Sequence, residues 1–286
     1  MNKPPTTYST QLQKLKERGC EILDEAFCHQ VLKKINYYRL SAYLLPYKQS
    51  NGTYVAGTSF DKVFSIYEFD RKMRGILLSA VEEVEISFRA EIAYIHAHKY
   101  GTLGYMDAIN YNDRHNHQRF CEHFAREISQ NSTTLFVKHH KSKYDGDFPI
   151  WVAVELFTFG MLSRFYSDMK TEEQNAIAGS LSTSVANVKS WLYCCSSLRN
   201  ICAHYGRLYF RTFTAVPANR NLPILPYDSA PDKLFGAIYA LRGLFPDKER
   251  WRNEILISLS NLVTDYGDVI ELNHIGFPRN WKNILG

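Results

Sequence analysis

The chain has 286 residues, 45% hydrophobic and 22% charged, with a formal net charge of +5 and a pI near 8.7. That composition suits a folded protein with a sizeable core and excludes a disordered or fibrous one. The mild basicity permits an acidic partner such as RNA without demanding one, and no run approaches the roughly 18 apolar residues of a membrane span.

The N-terminal segment MNKPPTTYST lacks the apolar core of a secretory signal. Six cysteines, Cys20, Cys28, Cys121, Cys194, Cys195 and Cys202, include no C-x-x-C pair, so reduced thiols and a cytoplasmic location are expected. In chain order, a short helix is predicted from about Thr10 to Arg18, stopped by Gly19. Asp24 can cap a second helix through Val31, Leu32 and Ile35. The aromatic segment Asn36 to Tyr47 ends at Pro46, and Asn51-Gly52 marks a turn that could close a short hairpin at about 53–57. A long helix follows from about Phe60 to His98, with Ser59 and Asp61 at its start and Gly101 and Gly104 beyond its end. Its apolar residues, among them Ile76, Ala80, Val84, Phe88 and Ile92, recur at three- and four-residue steps. Further helices are predicted at about 118–129, at 148–166 with a break near Gly160, at 185–210 after a cap at Ser182 to Ser184, at 232–244 and at 247–266. A connection containing Pro217, Pro223, Pro226 and Pro231 is long for a compact domain. Few segments alternate at period two, so an all-α class is expected.

The helix from Val185 is the most informative. Val188, Trp191, Cys195, Leu198, Cys202 and Tyr205 predict one stripe facing the core. Tyr193, Ser196, Ser197, Asn200, His204, Arg207 and Arg211 fall on the other side, with Arg199 near the border. An exposed helix face is usually filled with Glu and Lys; here no acid occurs from Val185 to Phe213. Ser, Asn, His and Arg suit an anionic ligand. Attack of a ribose 2′-hydroxyl on its own phosphate needs a proton acceptor, a proton donor and a cation. Histidine titrates near neutrality and fills either proton role, while arginine presents a planar fork to phosphate oxygens. No metal or cofactor is required. Five positions separate Arg199 from His204, about 140° of rotation and roughly 7.5 Å of rise, so Arg199 must reach round or two copies of the helix must pair. Asn200, four residues before His204, could orient the imidazole. An Arg followed by a His after a similar gap also occurs at Arg89 and His96, and spacing alone does not choose between the two pairs.

The segments INYYRLSAYLLPY (Ile35 to Tyr47), EEVEISFRAEIAY within Tyr67 to Gly101, FPIWVAVELFTFGMLSRFY (Phe148 to Tyr166), SLRNICAHYGRLYFR (Ser197 to Arg211) and GFPRNW (Gly276 to Trp281) resemble the abortive-infection (Abi-like, D/F-type) proteins of bacteria, a branch of the HEPN superfamily. The Arg-Asn-x-x-x-His of the fourth segment is similar to the HEPN catalytic motif. The resemblance implies one all-α domain, a HEPN-type helical bundle elaborated with additional helices. Its N-terminal elaboration would span about 1–58, its core about 59–213 and a C-terminal extension about 214–286. It implies a homodimer with metal-independent ribonuclease sites at the interface, Arg199 and His204 being catalytic and Asn200 supporting. It also implies a bacterial cytoplasmic toxin of phage defence, with a small RNA antitoxin or guide as a further partner. One departure is Gly206, where HEPN toxins silenced by nucleotidylation carry Tyr.

Beside this helix, Glu85 and Arg89 form an i,i+4 pair worth a few tenths of a kcal/mol if exposed. Together with Glu82 they could instead form a polar stripe that holds Arg199 or substrate. The basic loop Lys138 to Lys143 offers Lys138 and Lys141 as phosphate contacts, and Arg207 and Arg211 extend the basic face. His115, His117 and His123, near Asp113, lack convincing metal spacing. A helical RNA-binding module that never cuts remains the alternative to a ribonuclease, and a purely structural oligomerisation domain is a third reading.

Overall fold

The computed structural model describes residues 4–219 and 230–286. Pro223 and Pro226, and with them the middle of the proline-containing connection, lie outside the described residues. Helices dominate, and among the described residues β-pairing is confined to three isolated bridges.

Helix α1 (Tyr8–Glu17) packs on α2 (Glu25–Lys34). Thr7 accepts from the Thr10 amide at 3.1 Å and Asp24 from the Phe27 amide at 2.9 Å, so each helix starts on a side-chain cap. Gly19, at φ 82°, makes the turn between them. Asn36 caps α3 (Tyr37–Leu44). The expected hairpin shrinks to one bridge, Lys48 to Tyr54, closed at Gly52.

Helix α4 (Phe60–Tyr100) runs 41 residues, about 60 Å. Ser59 accepts from the Lys62 amide at its start, and Gly101, at φ 81°, ends it. Ile66, Met73, Leu77, Ala80, Val84, Phe88 and Ile92 are fully buried along one side, which makes α4 the spine of the core. Helices α5 (His117–Gln130), α6 (Leu135–Lys143), α7 (Ile150–Leu156), α8 (Phe159–Asp168) and α9 (Thr171–Ser180) follow. The basic stretch predicted as a loop is thus helix α6. The segment predicted as one helix over 148–166 divides at Phe157 and Thr158, not at Gly160. Thr158 caps α8 by accepting from the Met161 amide at 3.2 Å, and Arg89 takes up the carbonyls released at the end of α7.

Helix α10 (Val185–Ala203) lies against α4, α8 and α11 (Leu234–Leu244). Nearly every residue of α11 is buried, the pattern of a helix enclosed on all sides. A Cβ on Gly243 would come within 2.4 Å of the Trp191 ring, so a glycine allows α11 to approach α10. A short turn α12 (Lys248–Arg250) leads through a π-helical turn (Trp251–Ile255) into α13 (Leu256–Asp265), and α14 (Trp281–Leu285) closes the chain. One cluster of buried apolar side chains reaches from Leu12 to Leu285, so the C-terminal third packs into the same core as α4 and α10.

Candidate active site

Ser184 accepts from the Asn187 amide at 3.2 Å and starts α10. Val188, Trp191, Leu192, Cys195, Leu198 and Cys202 are buried along its inner side. The helix stops at Ala203, seven residues before the expected end. The Gly206 amide donates to the Ile201 carbonyl at 2.7 Å and the Tyr205 amide to Cys202 at 3.1 Å, the paired bonds of a Schellman turn. Tyr205 occupies the left-handed position at φ 56°, at a cost of roughly 1–2 kcal/mol for a non-glycine residue. It is 68% exposed, whereas its helical spacing placed it in the core; with the helix ended, that spacing no longer applies. A Cβ on Gly206 would sit 2.9 Å from Ile201 Cγ2, so the turn leaves no room there for a tyrosine.

His204 is the last residue held by the helix, its amide donating to the Asn200 carbonyl at 3.0 Å. Its side chain is exposed. Asn200, expected to orient the imidazole, is bound to it only through this backbone contact. Its side-chain oxygen instead accepts from Arg199 Nη1 at 3.3 Å. Arg199 Nε lies 3.9 Å from Glu85 Oε2, and the Arg199 side chain is 41% exposed. Glu85 also pairs with Arg89, and Arg89 Nη2 donates to the Phe157 carbonyl at 2.6 Å while Nη1 bonds that of Val154. Of the expected polar stripe of α4, Glu85 and Arg89 therefore pack beside α10, where Arg89 fixes Glu85 and Glu85 faces Arg199, while Glu82 is exposed.

The competing pair Arg89 and His96 is used inside the fold. His96 has no exposed surface, and its Nδ1 lies 3.0 Å from Glu173 Oε1.

Arg207 and Arg211 do not extend a helical face, because α10 has ended before them. Arg207 bonds the Ala42 carbonyl, with its guanidinium 5.9 Å from the Tyr43 ring centroid. Arg211 lies at the same distance from Phe213 and donates to the Arg207 carbonyl at 3.4 Å. Lys138 and Lys141 are exposed on α6, a helix seated by the buried Val137 and by His140 stacked on Phe148.

Sequence reasoning missed the group that moors this end of α10. Asp70 of α4 is fully buried and accepts from Tyr43 Oη at 2.6 Å, Arg74 Nη1 at 2.6 Å and the amides of Leu208 and Tyr209 at 3.1 and 2.8 Å. Burial pushes its carboxyl up, and the Tyr43 hydroxyl, Arg74 and the two amides oppose that push. Arg74 Nη1 also donates to the Gly206 carbonyl at 3.3 Å, and Arg39 Nη1 to that of Tyr205 at 2.7 Å. The available signal was an acid and an arginine, four residues apart, within the apolar register of Ile66, Met73 and Leu77.

His115 and His117 belong to a different cluster. Asp168 Oδ2 lies 3.0 Å from His115 Nδ1, His115 Nε2 lies 3.2 Å from His117 Nδ1, and Cys121 Sγ lies 3.4 Å from His117 Nε2. The four side chains form a line rather than surrounding a point. Among the described residues no group of three or more His, Cys, Asp or Glu could hold a metal ion, and no helix is long and apolar enough to cross a membrane.

No curated protein and no solved structure matches the chain. A family model, that of the Abi-like proteins, matches residues 30–210. This stretch begins in α2, takes in the Asp70 anchor and the Glu85–Arg89 pair, and ends just past the turn that carries His204. Such membership points to abortive infection, a form of phage defence. On that match, covering well over half its length and the whole of the candidate site, the chain belongs to the Abi-like protein family.

Proposed function

We propose that the protein is a metal-independent endoribonuclease of the HEPN type, acting as a toxin of phage defence. The observation that carries this reading is the end of α10. An exposed histidine stands on a fixed turn, one residue past a helix that bears no acid, and a half-exposed arginine is steered by the Glu85–Arg89 pair. In the proposed reaction the ribose 2′-oxygen attacks the adjacent phosphorus. The bond to the 5′-oxygen breaks, giving a 2′,3′-cyclic phosphate and a free 5′-hydroxyl. His204 accepts the 2′-hydroxyl proton or donates one to the leaving oxygen. Arg199 matches two phosphate oxygens with its fork. Asn200 and Glu85 hold Arg199, and Arg89 holds Glu85.

One chain supplies one such imidazole, and the reaction uses a base and an acid. A homodimer that pairs the two α10 ends would supply both, along with a second guanidinium. A small RNA serving as antitoxin or guide is the partner that fits a toxin of this kind.

Purified protein should cut RNA and leave cyclic phosphate ends. His204→Ala should lose on the order of 10²-fold or more of the rate, and Arg199→Lys should not restore an Arg199→Ala loss, because lysine lacks the fork. A folded His204→Ala variant that cuts at the parental rate removes the assignment. Parental protein that binds RNA and never cuts it would replace the enzyme with an RNA-binding module.

A further inference from the structure

A cavity of about 770 Å³ opens between α5, α8 and α10, outside the Arg199 and His204 site. Four cations line it, Arg114, Arg119, Arg164 and Lys189, against one carboxylate, Asp168. That carboxylate is already engaged: it is buried, it faces His115 Nδ1 at 3.0 Å, and it accepts from Arg164 Nε at 3.1 Å. Among the described residues neither Lys189 nor the Arg119 guanidinium has an acid partner. Burial, and after it the nearby Arg114, hold the Lys189 ammonium below the usual lysine range, with only partial relief from Asp168. Unbalanced positive charge in a partly desolvated recess favours an anion. The starts of α5 and α8 both reach the cavity wall, through Asn116 and Gly160, and neither helix has an acid in its first turn. Their free amides and dipoles add to the positive field.

The position of the cavity indicates which anion. Lys189, Tyr193 and Ser196 line it from α10, and Asn200 and His204 continue the same strip at four-residue steps. At 1.5 Å per residue, Ser196 to Asn200 is about 6 Å and Lys189 to His204 about 22 Å. Tyr193, 60% exposed, stands between the cations and the candidate active end. An exposed ring beside cations is how single-stranded nucleic acid is held without sequence readout: the ring stacks a base and the cations take phosphates.

We infer that this cavity is a subsite for the phosphodiester backbone of an RNA strand that continues along α10 to Arg199 and His204, with Arg119 and Lys189 as phosphate contacts and Tyr193 as a stacking platform. The inference rests on the proposed reading for its ligand class, RNA, and not for cleavage.

The test uses the full chain and a short, fluorescent 2′-O-methyl oligoribonucleotide, which lacks the attacking hydroxyl and cannot be cut. Binding is followed by anisotropy against salt for the parent and for Arg119→Gln/Lys189→Gln. The double variant should bind on the order of tenfold more weakly or worse, given the usual strength of charge-assisted bonds. Its log–log salt slope should be shallower by about 1.4, two phosphate contacts on a single strand. Glutamine keeps bulk at the partly buried Lys189, and a matching circular-dichroism melt checks folding; Tyr193→Ala, on the exposed face, gives an independent loss of affinity. Parental affinity and slope in the folded double variant overturn the inference. So does a double variant that loses only binding of free UMP while keeping the oligonucleotide, which assigns the cavity to a small nucleotide. If the parent never cuts unmodified RNA yet the double variant still loses the oligonucleotide, the ribonuclease reading fails and the subsite stands.

Discussion

Replacing Asp70 with asparagine isolates the anchor beneath the candidate active site. Four donors converge on this carboxylate, from Tyr43, Arg74, Leu208 and Tyr209. Asparagine keeps one acceptor oxygen and turns the other position into a donor, which then faces donors. Arg74, whose side chain is 7% exposed, becomes a buried charge without its counter-ion. Removing one partner of a buried pair costs about 3–5 kcal/mol. At roughly 2–4 °C per kcal/mol for a chain of this size class, Tm should fall by roughly 6–20 °C. The assay is thermal or urea denaturation of Asp70→Asn beside Asp70→Asn/Arg74→Met. The double variant strands no charge and should recover part of the loss. Amide exchange at Leu208 and Tyr209 should also accelerate in Asp70→Asn, because both amides lose their acceptor. A loss under about 1 kcal/mol, ordinary for a surface change, or a double variant no better than the single one, would refute the reasoning.

Gly243→Ala sets helix propensity against packing. Alanine favours an α-helix by up to about 1 kcal/mol, but the new Cβ would sit 2.4 Å from a Trp191 ring that is tethered by its Nε1 to the Ala218 carbonyl at 2.7 Å. Overpacking costs about 1–3 kcal/mol, so a net loss of stability and a changed tryptophan emission are expected; a stabilised variant would show that the two helices part freely. Burial, only partly offset by Asp168, holds His115 below the usual histidine value of 6.5. The neutral ring therefore contributes stability that is complete above pH 6.5 and is lost as pH falls through the lowered folded value. Melts of His115→Gln should accordingly decline less between pH 7 and 5 than those of the parent, and parallel curves would exclude His115 as a source of acid sensitivity. The half-buried His274 ring, lowered in the same way, retains part of the slope in both proteins.

The parts of the fold legible in the sequence are those fixed locally. Ser59, Asp24 and Ser184 each precede a helix and cap it with their own side chains, and the apolar spacing of α4 needs no distant partner. The elements that were missed depend on distant contacts. Helix α9 carries Glu173 and Gln174 buried, a polar pattern that reads as loop. Its burial makes sense only once Glu173 meets His96 and Tyr100, and Gln174 donates to the Tyr166 and Ser167 carbonyls. The sequence beyond Ala203 still has helical spacing, yet the backbone turns there because Asp70, more than a hundred residues earlier, takes the Leu208 and Tyr209 amides. At the candidate site, the pairing of Glu85 with Arg89 was readable from a four-residue step. That Glu85 also faces Arg199 was one of two readings left open by the sequence. The roles of Arg207 and Arg211 were misread for the same reason as the helix end: a face drawn on a wheel does not survive a turn.

The resemblance makes the first 58 residues an elaboration on the helical bundle. Yet α3 reaches the far end of α10 twice, through Arg39 to the Tyr205 carbonyl and through the Ala42 carbonyl to Arg207, and Tyr43 completes the cage around Asp70. Those residues act as a splint on the very loop that carries the histidine. A shortened version trimmed to the central helices would keep every residue of the Arg-to-His motif and lose the brace that holds its last member still.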